Sequence, residues 1–263
     1  MISIVIPTRG RPKRLKETWD SIFNTASKPS NIEVVIAVDD DDPEAIEAAN
    51  LLDGMAKKVV VMPREYAVPK WAEAHKVATG DILMLCGDDI IFRTPDWDLR
   101  VAAEFAKWPD RIGLVCVAEG IWNGQLATNI FLSREWINAL GYFVGPGLRH
   151  NYVDQWLDEI AKAIERRVYI GDIMAEHIHP MKHPGVQDAT YQIQEEILPC
   201  GKNIKQLDKE YFHGAAATQM RNEGVWKLRD AIKAAALAAA NISAIEHSAA
   251  ANGGCAGAQN APA

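Results

Sequence analysis

Several sequence features that would assign this chain to a common protein class are absent. No uninterrupted apolar run reaches the about 18 residues of a membrane-spanning helix, so we predict no membrane span. The four cysteines include no Cys-x-x-Cys pair, which argues against a zinc ribbon or a thioredoxin-like site. The sequence also has no Gly-x-Gly-x-x-Gly, Walker A or Gly-x-Ser-x-Gly motif. These absences disfavour dinucleotide-binding proteins, P-loop NTPases and α/β-hydrolases.

The charge balance is acidic, with 28 Lys and Arg residues, 35 Asp and Glu residues and a formal net charge of −7. This balance disfavours sequence-blind binding to nucleic acid, although a local basic patch is compatible with it. The apolar fraction of 48% and the charged fraction of 24% are typical of a globular protein. Cys86 and Cys116 lie unpaired inside apolar runs, which suits a reducing compartment. We therefore expect a cytoplasmic protein.

Strand-like and helix-like segments alternate along the first 120 residues. The predicted strands are Ile2–Ile6, ended by Pro7, then Ile32–Val38, Lys58–Met62 and Ile82–Leu85. Apolar residues at helical spacing separate them; one helix starts at Pro12 and another follows a predicted Asp42 cap. Such alternation favours βαβ units and predicts an α/β fold with a mainly parallel sheet flanked by helices.

The pattern becomes mixed beyond residue 110. Further strands are predicted at 112–117, 128–132 and 168–178, with a short helix from Ser133 to Gly141 and an amphipathic helix at 153–164. Residues 184–230 have no clear pattern. An alanine-rich helix is expected from about Ala234 to about His247, followed by a disordered, dispensable tail. We therefore divide the chain into a main domain, 1–215, and a carboxy-terminal helix with its tail, 216–263.

Three polar segments follow predicted strands directly, namely 8–11, 39–42 and 88–89. In a parallel α/β sheet, ligands bind beyond the carboxyl ends of the strands. These segments therefore predict a binding site at one edge of the sheet. The acidic segment 39–42 is either a solvated turn that caps a helix or a hydrogen-bond acceptor for a nucleobase or ribose. The basic stretch from Arg9 to Lys16 is either a solvated helix face or a site for a diphosphate or an anionic acceptor.

The adjacent carboxylates Asp88 and Asp89 repel each other unless a cation lies beside them. Oxygen ligands of this kind suit Mg²⁺ or Mn²⁺, although a plain turn is the alternative. His177 and His179 lie two residues apart, so on a strand they share one face and can complete the metal shell. The alternatives are a separate zinc site with His183, or ordinary loop histidines.

Three segments resemble the family-two glycosyltransferases of the GT-A fold. Residues 4–11, Ile-Val-Ile-Pro-Thr-Arg-Gly-Arg, resemble the opening strand of that family. Residues 36–40, Ile-Ala-Val-Asp-Asp, resemble its second strand with the base-reading aspartate, and residues 78–89 resemble its Ala-x-Gly-…-Asp-x-Asp-Asp segment. The segments 152–154 and 176–180 are similar to late motifs of small, phage-type members.

The resemblance implies a Rossmann-like GT-A fold and a metal-dependent, inverting transfer of a sugar from a nucleotide-diphosphate sugar, most simply a UDP-sugar, to an acceptor hydroxyl. It implies Mn²⁺ or Mg²⁺ held by Asp89 with His177 or His179, and Asp154 as the general base. The nucleotide-sugar would be bound by Pro7, Thr8, Arg9, Arg11, Asp39, Arg64, Lys70 and Asp88. One position departs from the family pattern, because Cys86 stands where the first carboxylate of Asp-x-Asp is expected.

The acceptor is open, and the phage-type motifs suggest a hydroxymethylated DNA base as one candidate. If the chain is phage-encoded, the expected location is the host cytoplasm. Two other functions stay open on the residues alone. A nucleotidyltransferase would also use paired carboxylates with Mg²⁺, although the chain lacks the Gly-rich, lysine-containing loop expected after its first strand. The other is a non-catalytic module that binds a nucleotide-sugar or a protein.

Overall fold

A computed structural model describes residues 1–53, 56–186 and 188–253, apart from the side chains of 189, 194 and 243–253. Within these residues the strands are β1 (Ile2–Thr8), β2 (Ile32–Asp39), β3 (Ala56–Met62), β4 (Ile82–Leu85), β5 (Ile90–Phe92), β6 (Leu114–Ala118), β7 (Ile130–Ser133) and β8 (Arg167–His177). The helices are α1 (Pro12–Thr25), α2 (Pro43–Leu51), α3 (Ala67–Ala74), α4 (Trp97–Ala106), α5 (Arg134–Leu140), α6 (Val153–Ala163), α7 (Ala189–Glu195), α8 (Ile204–His213) and α9 (Ala215–Gly253).

The strands form one mainly parallel sheet in the order β3-β2-β1-β4-β7-β6-β8-β5. Strands β1 to β4 are mutually parallel where they pair, and β6 is parallel to β8. Strand β7 is antiparallel to both neighbours, and β5 is antiparallel to β8. The α/β fold with a mainly parallel sheet flanked by helices is thereby confirmed. Because β1, β2 and β4 run the same way, their carboxyl ends meet at one edge.

Each face of the sheet has its own apolar core. On one face, α1, α2 and α4 pack through buried side chains that include Leu15, Trp19 and Phe105. On the other face, α3, α5, α6 and α9 pack through buried side chains that include Trp136 and Trp156. A sheet buried on both faces explains why β1 and β2 read as unbroken apolar runs. None of the helices in the described part of the chain combines the length and hydropathy that crossing a bilayer requires.

Pro7 does not end the first strand, contrary to the sequence expectation, because β1 continues to Thr8. The carbonyl of Val5 accepts a hydrogen bond from the backbone N–H of Cys86, so residue 5 is turned toward the β4 side. Residue 7 is turned the same way, since strand residues alternate. Pairing between β1 and β4 stops at Val5 and Leu85. Pro7 therefore lies where no ladder hydrogen bond needs its missing N–H.

The predicted caps of two helices are confirmed. The Asp42 side chain accepts from the backbone N–H of Ala45, with Pro43 at the start of α2. Ser133 caps α5 in the same manner by accepting from the N–H of Trp136, and Gly141 ends it with φ 85°. A left-handed residue at this place is a common helix stop, and glycine adopts it without a Cβ clash.

Several boundaries differ from the sequence expectation. The spacing of Trp71, Ala74, His75 and Ala78 predicts one helix that Gly80 ends, but helix α3 ends at Ala74 and continues only as a 3₁₀ turn over His75–Val77. Strand β5 and helices α4, α7 and α8 were not predicted. Helix α9 begins at Ala215 rather than near residue 234, and it extends to Gly253 where a tail was expected. Alanine has the highest helix propensity, which explains the extension. Residues 254–263 of the expected tail lie outside the described residues, and the proposed domain division stays a prediction.

Candidate active site

The carboxyl ends of β1 and β4 place two predicted site residues in direct contact. Thr8 is the last residue of β1, and its hydroxyl donates a 2.7 Å hydrogen bond to Oδ2 of Asp88. Asp88 lies three residues beyond β4, and its backbone carbonyl accepts from the Thr18 hydroxyl on α1 at 2.9 Å. Thr8, Asp88 and Asp89 are all buried. The strand ends thus form a fixed, buried floor to the site.

Arg11 is the cation that pairs with the buried carboxylates at these strand ends. Its Nη1 donates to Oδ1 of Asp88 at 2.9 Å and to Oδ2 of Asp89 at 3.2 Å. Its Nε and Nη2 donate to the two oxygens of Asp188, each at 2.8 Å. The guanidinium also lies 4.9 Å from the ring centroid of Tyr191, a cation–π distance. One guanidinium therefore balances three carboxylates that come from two distant parts of the chain.

The two adjacent carboxylates differ in their pKa. Burial, opposed by the Arg11 charge, raises the pKa of Asp88 to about 6. Burial also acts to raise the pKa of Asp89, but the hydrogen bond and charge of His177, together with Arg11, outweigh it and hold that pKa at about 2. Two neighbouring carboxylates that interact in this way lose their protons in two separate steps as the pH rises. Asp89 is thus the member of the pair that ionises first.

His177 is the histidine nearest to the carboxylate pair. Its Nε2 lies 3.3 Å from Oδ1 of Asp89, while the Tyr191 hydroxyl donates to Oδ2 of Asp89 at 3.0 Å. Burial acts to lower the pKa of His177, but its hydrogen bond to Asp89 and the charge of that carboxylate outweigh burial and raise it. A carboxylate beside an imidazole suits Mn²⁺, and the ion is commonly completed by substrate phosphates and water. Asp89 and His177 fit such a cation in ligand type.

His179 lies beyond the end of β8, so the argument that it shares a strand face with His177 was wrong. A turn nevertheless brings the two rings to 5.0 Å between centroids. His183 lies with its Nε2 3.3 Å from Oε1 of Glu176. Across residues 1–53, 56–186 and 188–253, no group of three or more His, Cys, Asp or Glu side chains has the geometry of a metal site. The separate zinc site with His183 therefore has no support there.

Asp39, the predicted base-reading residue, is fully buried at the end of β2 and is surrounded by cations. Lys70 lies 2.7 Å from its Oδ1, and Arg9 donates to its Oδ2 at 2.9 Å. The backbone N–H of Glu65 also donates to Oδ1 at 3.2 Å. Lys70 is buried, and its Nζ contacts both Asp39 and the backbone carbonyl of Thr8. Its ammonium group therefore lies at the carboxyl ends of β1 and β2.

Arg64 is the predicted site residue that lies apart from this cluster. It is exposed in the loop after β3, and its charge helps to lower the pKa of Asp41, whose main partner is Arg9. Pro7 is buried within β1 and has no polar side chain that could bind a ligand. Arg9, by contrast, spans Asp39 and Asp41 at the rim of the site.

Cys86 stands at the position of the expected first carboxylate, immediately after β4. It is fully buried, and burial raises the pKa of its thiol well above the usual range. The thiol is therefore neutral and does not replace the missing negative charge. Asp88 and Asp89 are the carboxylates that the β4 end supplies.

Asp154 lies in the first turn of α6, beside the site. Tyr152 occupies the N-cap position of this helix, and no side chain caps it, so Asp154 is not the cap. Burial raises the pKa of Asp154 to about 7, with the charge of His177 opposing the rise and that of Glu119 adding to it. A carboxyl group with a pKa near neutrality is suited to accept a proton.

Two other carboxylates on the same helix, Asp158 and Glu159, lie one turn from Asp154, but both are already paired with cations. Asp158 is buried and is paired with Arg167 and, at 2.6 Å, with Lys162. Glu159 is paired with Arg221 at 3.0 Å. Both carboxylates therefore already have cationic partners within the fold. Asp154 is the carboxylate of this helix whose electrostatic neighbour, His177, belongs to the site.

Sequence reasoning missed several residues of the site. Asp188 caps α7 and pairs with Arg11, and Tyr191 reaches Asp89. Glu119 follows β6 and is buried. Its Oε1 accepts from the N–H of Ile121 at 3.0 Å, and its Oε2 has no hydrogen-bond partner among the residues that the structure describes. These residues lie on loops and one short helix without a periodic pattern. The available signal was local, since Asp188 is a capping residue type ahead of a short helix.

The fold and this site agree with a family comparison. The sequence family described as glycosyl transferase family 2 matches residues 3–141, which is more than half of the chain. The chain therefore belongs to glycosyl transferase family 2. The match covers β1 to α5 and includes Thr8, Asp39, Asp88 and Asp89. Comparison with the curated proteins found no match.

Several solved structures are similar to this chain in fold. A mannosyltransferase of Pyrobaculum calidifontis, in complex with GDP-Man and Mn²⁺, has a TM-score of 0.51 and 20% identity, with 95% of this chain and 80% of that chain covered. Residues 1–349 of S. aureus TarS, in complex with UDP-GlcNAc, give 0.51 and 13%, with 88% and 72% covered. Against the longer TarS structure the TM-score is 0.51 and the identity 14%. The match includes 68% of this chain but only 37% of that TarS chain. At these identities the likeness shows the GT-A fold alone.

Proposed function

We propose that this protein is an inverting, divalent-cation-dependent glycosyltransferase that uses a nucleotide-diphosphate sugar, with a UDP-sugar as the first candidate. The observation that carries the proposal is the joint placement of Thr8, Arg11, Asp88, Asp89 and His177 at one sheet edge. Family membership supplies the reaction class. The UDP-GlcNAc and GDP-Man bound to the structural neighbours support a nucleotide-sugar donor.

The donor would lie along the ends of β1, β2 and β4. Arg9 and Arg11 are cationic groups suited to the diphosphate, because guanidinium binds phosphate oxygens bidentately. Asp39 would accept a hydrogen bond from the base once Arg9 turns from it to the phosphates, while Lys70 stays paired with its other oxygen. Asp88, next to Thr8, would take a ribose or sugar hydroxyl. Arg64 would reach the donor only if its loop turns inward.

Asp89 and His177 would hold Mn²⁺ or Mg²⁺, with His179 the second histidine in reach of the site. When bound, such a cation stabilises the negative charge that grows on the leaving diphosphate. The residues themselves bring an anionic carboxylate and an imidazole within 3.3 Å of each other. Tyr191 and Arg11, which both donate to Asp89, keep its second oxygen oriented.

Asp154 would act as the general base. It takes the proton of the acceptor hydroxyl as the hydroxyl oxygen attacks the anomeric carbon. The bond between that carbon and the phosphate oxygen breaks, and its electron pair leaves with the diphosphate. One base opposite the leaving group gives a single displacement, so the product has inverted anomeric configuration. The acceptor predicted from the phage-type motifs, a hydroxymethylated DNA base, stays a prediction.

Incubation of the protein with a panel of UDP- and GDP-sugars and Mn²⁺ tests the proposal. Release of the nucleoside diphosphate, with free or transferred sugar, is the expected result. In a parallel reaction with UTP or GTP and a sugar 1-phosphate, release of pyrophosphate with formation of the nucleotide-sugar would identify a nucleotidyltransferase. Binding of the nucleotide-sugar without turnover in either reaction would identify a binding module. Adding hydroxymethylated and unmodified DNA to the turning-over reaction tests the acceptor. Proton NMR of the fresh product reads the anomeric configuration.

A further inference from the structure

Asp208 is a buried carboxylate that the proposed reaction does not use. It lies on α8 and has no exposed surface. Its two oxygens accept three consecutive backbone N–H groups, from Arg149 at 3.0 Å, His150 at 2.8 Å and Asn151 at 2.8 Å. Three converging amides are a strong cradle for a carboxylate in a buried place. Residues 149–151, which we name the clamped loop, are thus fixed to α8 through one side chain.

The clamped loop is also held on its other side. The backbone N–H of Val68, in the first turn of α3, donates to the carbonyl of Arg149 at 2.9 Å. Tyr152, the next residue along the chain, stacks on Phe212 of α8 with 5.0 Å between ring centroids. Tyr152 has φ 66°, a left-handed conformation that is strained for a bulky side chain. Such a conformation persists only where its surroundings fix it.

The clamped loop leads directly into the active site. Tyr152 is the N-cap of α6, and Asp154 lies in the first turn of that helix. His150, in the loop itself, is close enough to the site for the charges of Asp89 and Lys70 to act on it. Burial lowers the pKa of His150 to about 4, so its imidazole is neutral. A movement of the clamped loop would therefore displace both Asp154 and His150.

We propose that Asp208 is a positioning residue for the proposed general base, acting through the clamped loop and the start of α6. The proposal rests on the proposed function, in which Asp154 takes the acceptor proton. Replacement of Asp208 by Asn leaves one acceptor oxygen and turns an amide NH₂ toward backbone N–H groups. The loop then loses its anchor, and Asp154 moves relative to the donor. A displacement of about 1 Å in such a group can cost about 10²-fold in rate.

The chain supplies a matched control in Asp98. This aspartate, on α4, is also buried, and its two oxygens accept the backbone N–H groups of Ser27 and Lys28, each at 2.9 Å. It anchors the chain beyond the carboxyl end of α1, whose amino end is the one at the active site. Asp98→Asn therefore removes the same kind of anchor without touching the loop that leads to Asp154.

The test compares Asp208→Asn, Asp98→Asn and Asp154→Asn for UDP-sugar hydrolysis with Mn²⁺, UDP affinity and the pH profile of turnover. We expect Asp208→Asn to lose at least about 10-fold in turnover with UDP affinity kept. Its pH profile should shift, because Asp154 titrates in changed surroundings. Asp98→Asn should lower Tm comparably and keep both turnover and profile. Equal turnover in the Asp208 and Asp98 variants overturns the proposal.

Two further measurements separate the possible failures. If Asp208→Asn does not fold, Asp208→Glu keeps the charge but shifts the carboxylate by one methylene group, and its turnover should still fall more than that of Asp98→Asn. If Asp154→Asn keeps full turnover, the base assignment and the positioning role both fail. If no donor is turned over, the proposed function fails. Hydrogen exchange at residues 149–151 then tests whether Asp208 holds the clamped loop in place. Asp208→Asn must then lose protection there, and Asp98→Asn must not.

Discussion

The two sides of the candidate site are built differently. The donor side consists of the ends of β1, β2 and β4, where Thr8, Asp39, Asp88 and Asp89 are buried against a sheet with apolar cores on both faces. The opposite side, which we name the cover, consists of residues 178–186 and of helix α7 with its cap Asp188, and these contact the donor side through polar groups. The difference teaches that the sheet fixes the nucleotide-binding groups, whereas a few ion pairs and hydrogen bonds fix the cover.

The contacts of the cover are few and specific. Asp188 pairs with Arg11, Tyr191 donates to Asp89, and Arg14 donates to the carbonyls of Ile178 and Val186 at 3.2 and 2.9 Å. Polar contacts at partly exposed positions contribute less than apolar burial, so this segment should open at lower free energy than the sheet. Substitutions on the two sides should therefore have different signatures, and each of the following changes tests that expectation.

The largest effect is expected from Asp89→Asn on the sheet side. The variant loses the anionic carboxylate that would hold the cation, so turnover of a UDP-sugar with Mn²⁺ should fall by about 10²-fold or more. The fold should remain intact, since Arg11 keeps Asp88 and Asp188 as partners. Steady-state turnover and circular dichroism check both points. Full activity of the variant, or of the wild type in excess EDTA, would contradict the role of the metal.

Asp154→Asn should lower turnover by about 10²-fold while UDP affinity is kept. Because burial raises the pKa of Asp154 to about 7, wild-type turnover should rise with pH through that value, and this limb should vanish in the variant. The folded state binds this proton more tightly than the unfolded state, so stability is lost as pH rises between the ordinary pKa and about 7. Asp154→Asn should accordingly raise Tm at pH 8. A lower Tm with normal turnover would identify a purely structural aspartate.

A smaller effect is expected from Asp188→Asn on the cover. This change weakens a two-point ion pair to Arg11 that lies at the edge of solvent, and charged hydrogen bonds of this kind contribute about 1–3 kcal/mol. Hydrogen exchange should increase across 188–195 and stay unchanged in β1 and β2. The control is Asp20→Asn, which breaks an exposed pair with Lys16 worth about 0.5 kcal/mol. Equal exchange in the two variants would show that the cover does not depend on Asp188.

The smallest effect is expected from truncation after His247. The buried positions of α9, such as Ala217 and Leu228, precede that point by many residues. The described side chains of residues 236–242 are exposed. Differential scanning calorimetry and donor turnover should be unchanged within error. A loss of either would give the carboxy-terminal segment a role that its composition does not indicate.

The same contrast explains how far the sequence predicts the structure. The donor side was predictable because buried strands read as apolar runs and their polar ends must meet at one edge, which brings Thr8 to Asp88. The pairing of Asp39 with Lys70 was not, because 31 positions separate them and no periodicity links them. The roles of Asp188, Tyr191 and Asp208 were not predicted, since these residues act through tertiary polar contacts that leave no pattern in a single sequence.

The central claim is that the β1–β4 edge binds a nucleoside diphosphate and a divalent cation together. Calorimetric titration of UDP into the wild-type protein, with and without Mn²⁺, tests it most directly, and Asp89→Asn serves as the matched variant. The account predicts that Mn²⁺ strengthens UDP binding, that UDP strengthens Mn²⁺ binding by the same factor, and that Asp89→Asn abolishes this coupling. UDP binding that is independent of Mn²⁺ in the wild type, or coupling that persists unchanged in Asp89→Asn, would contradict it.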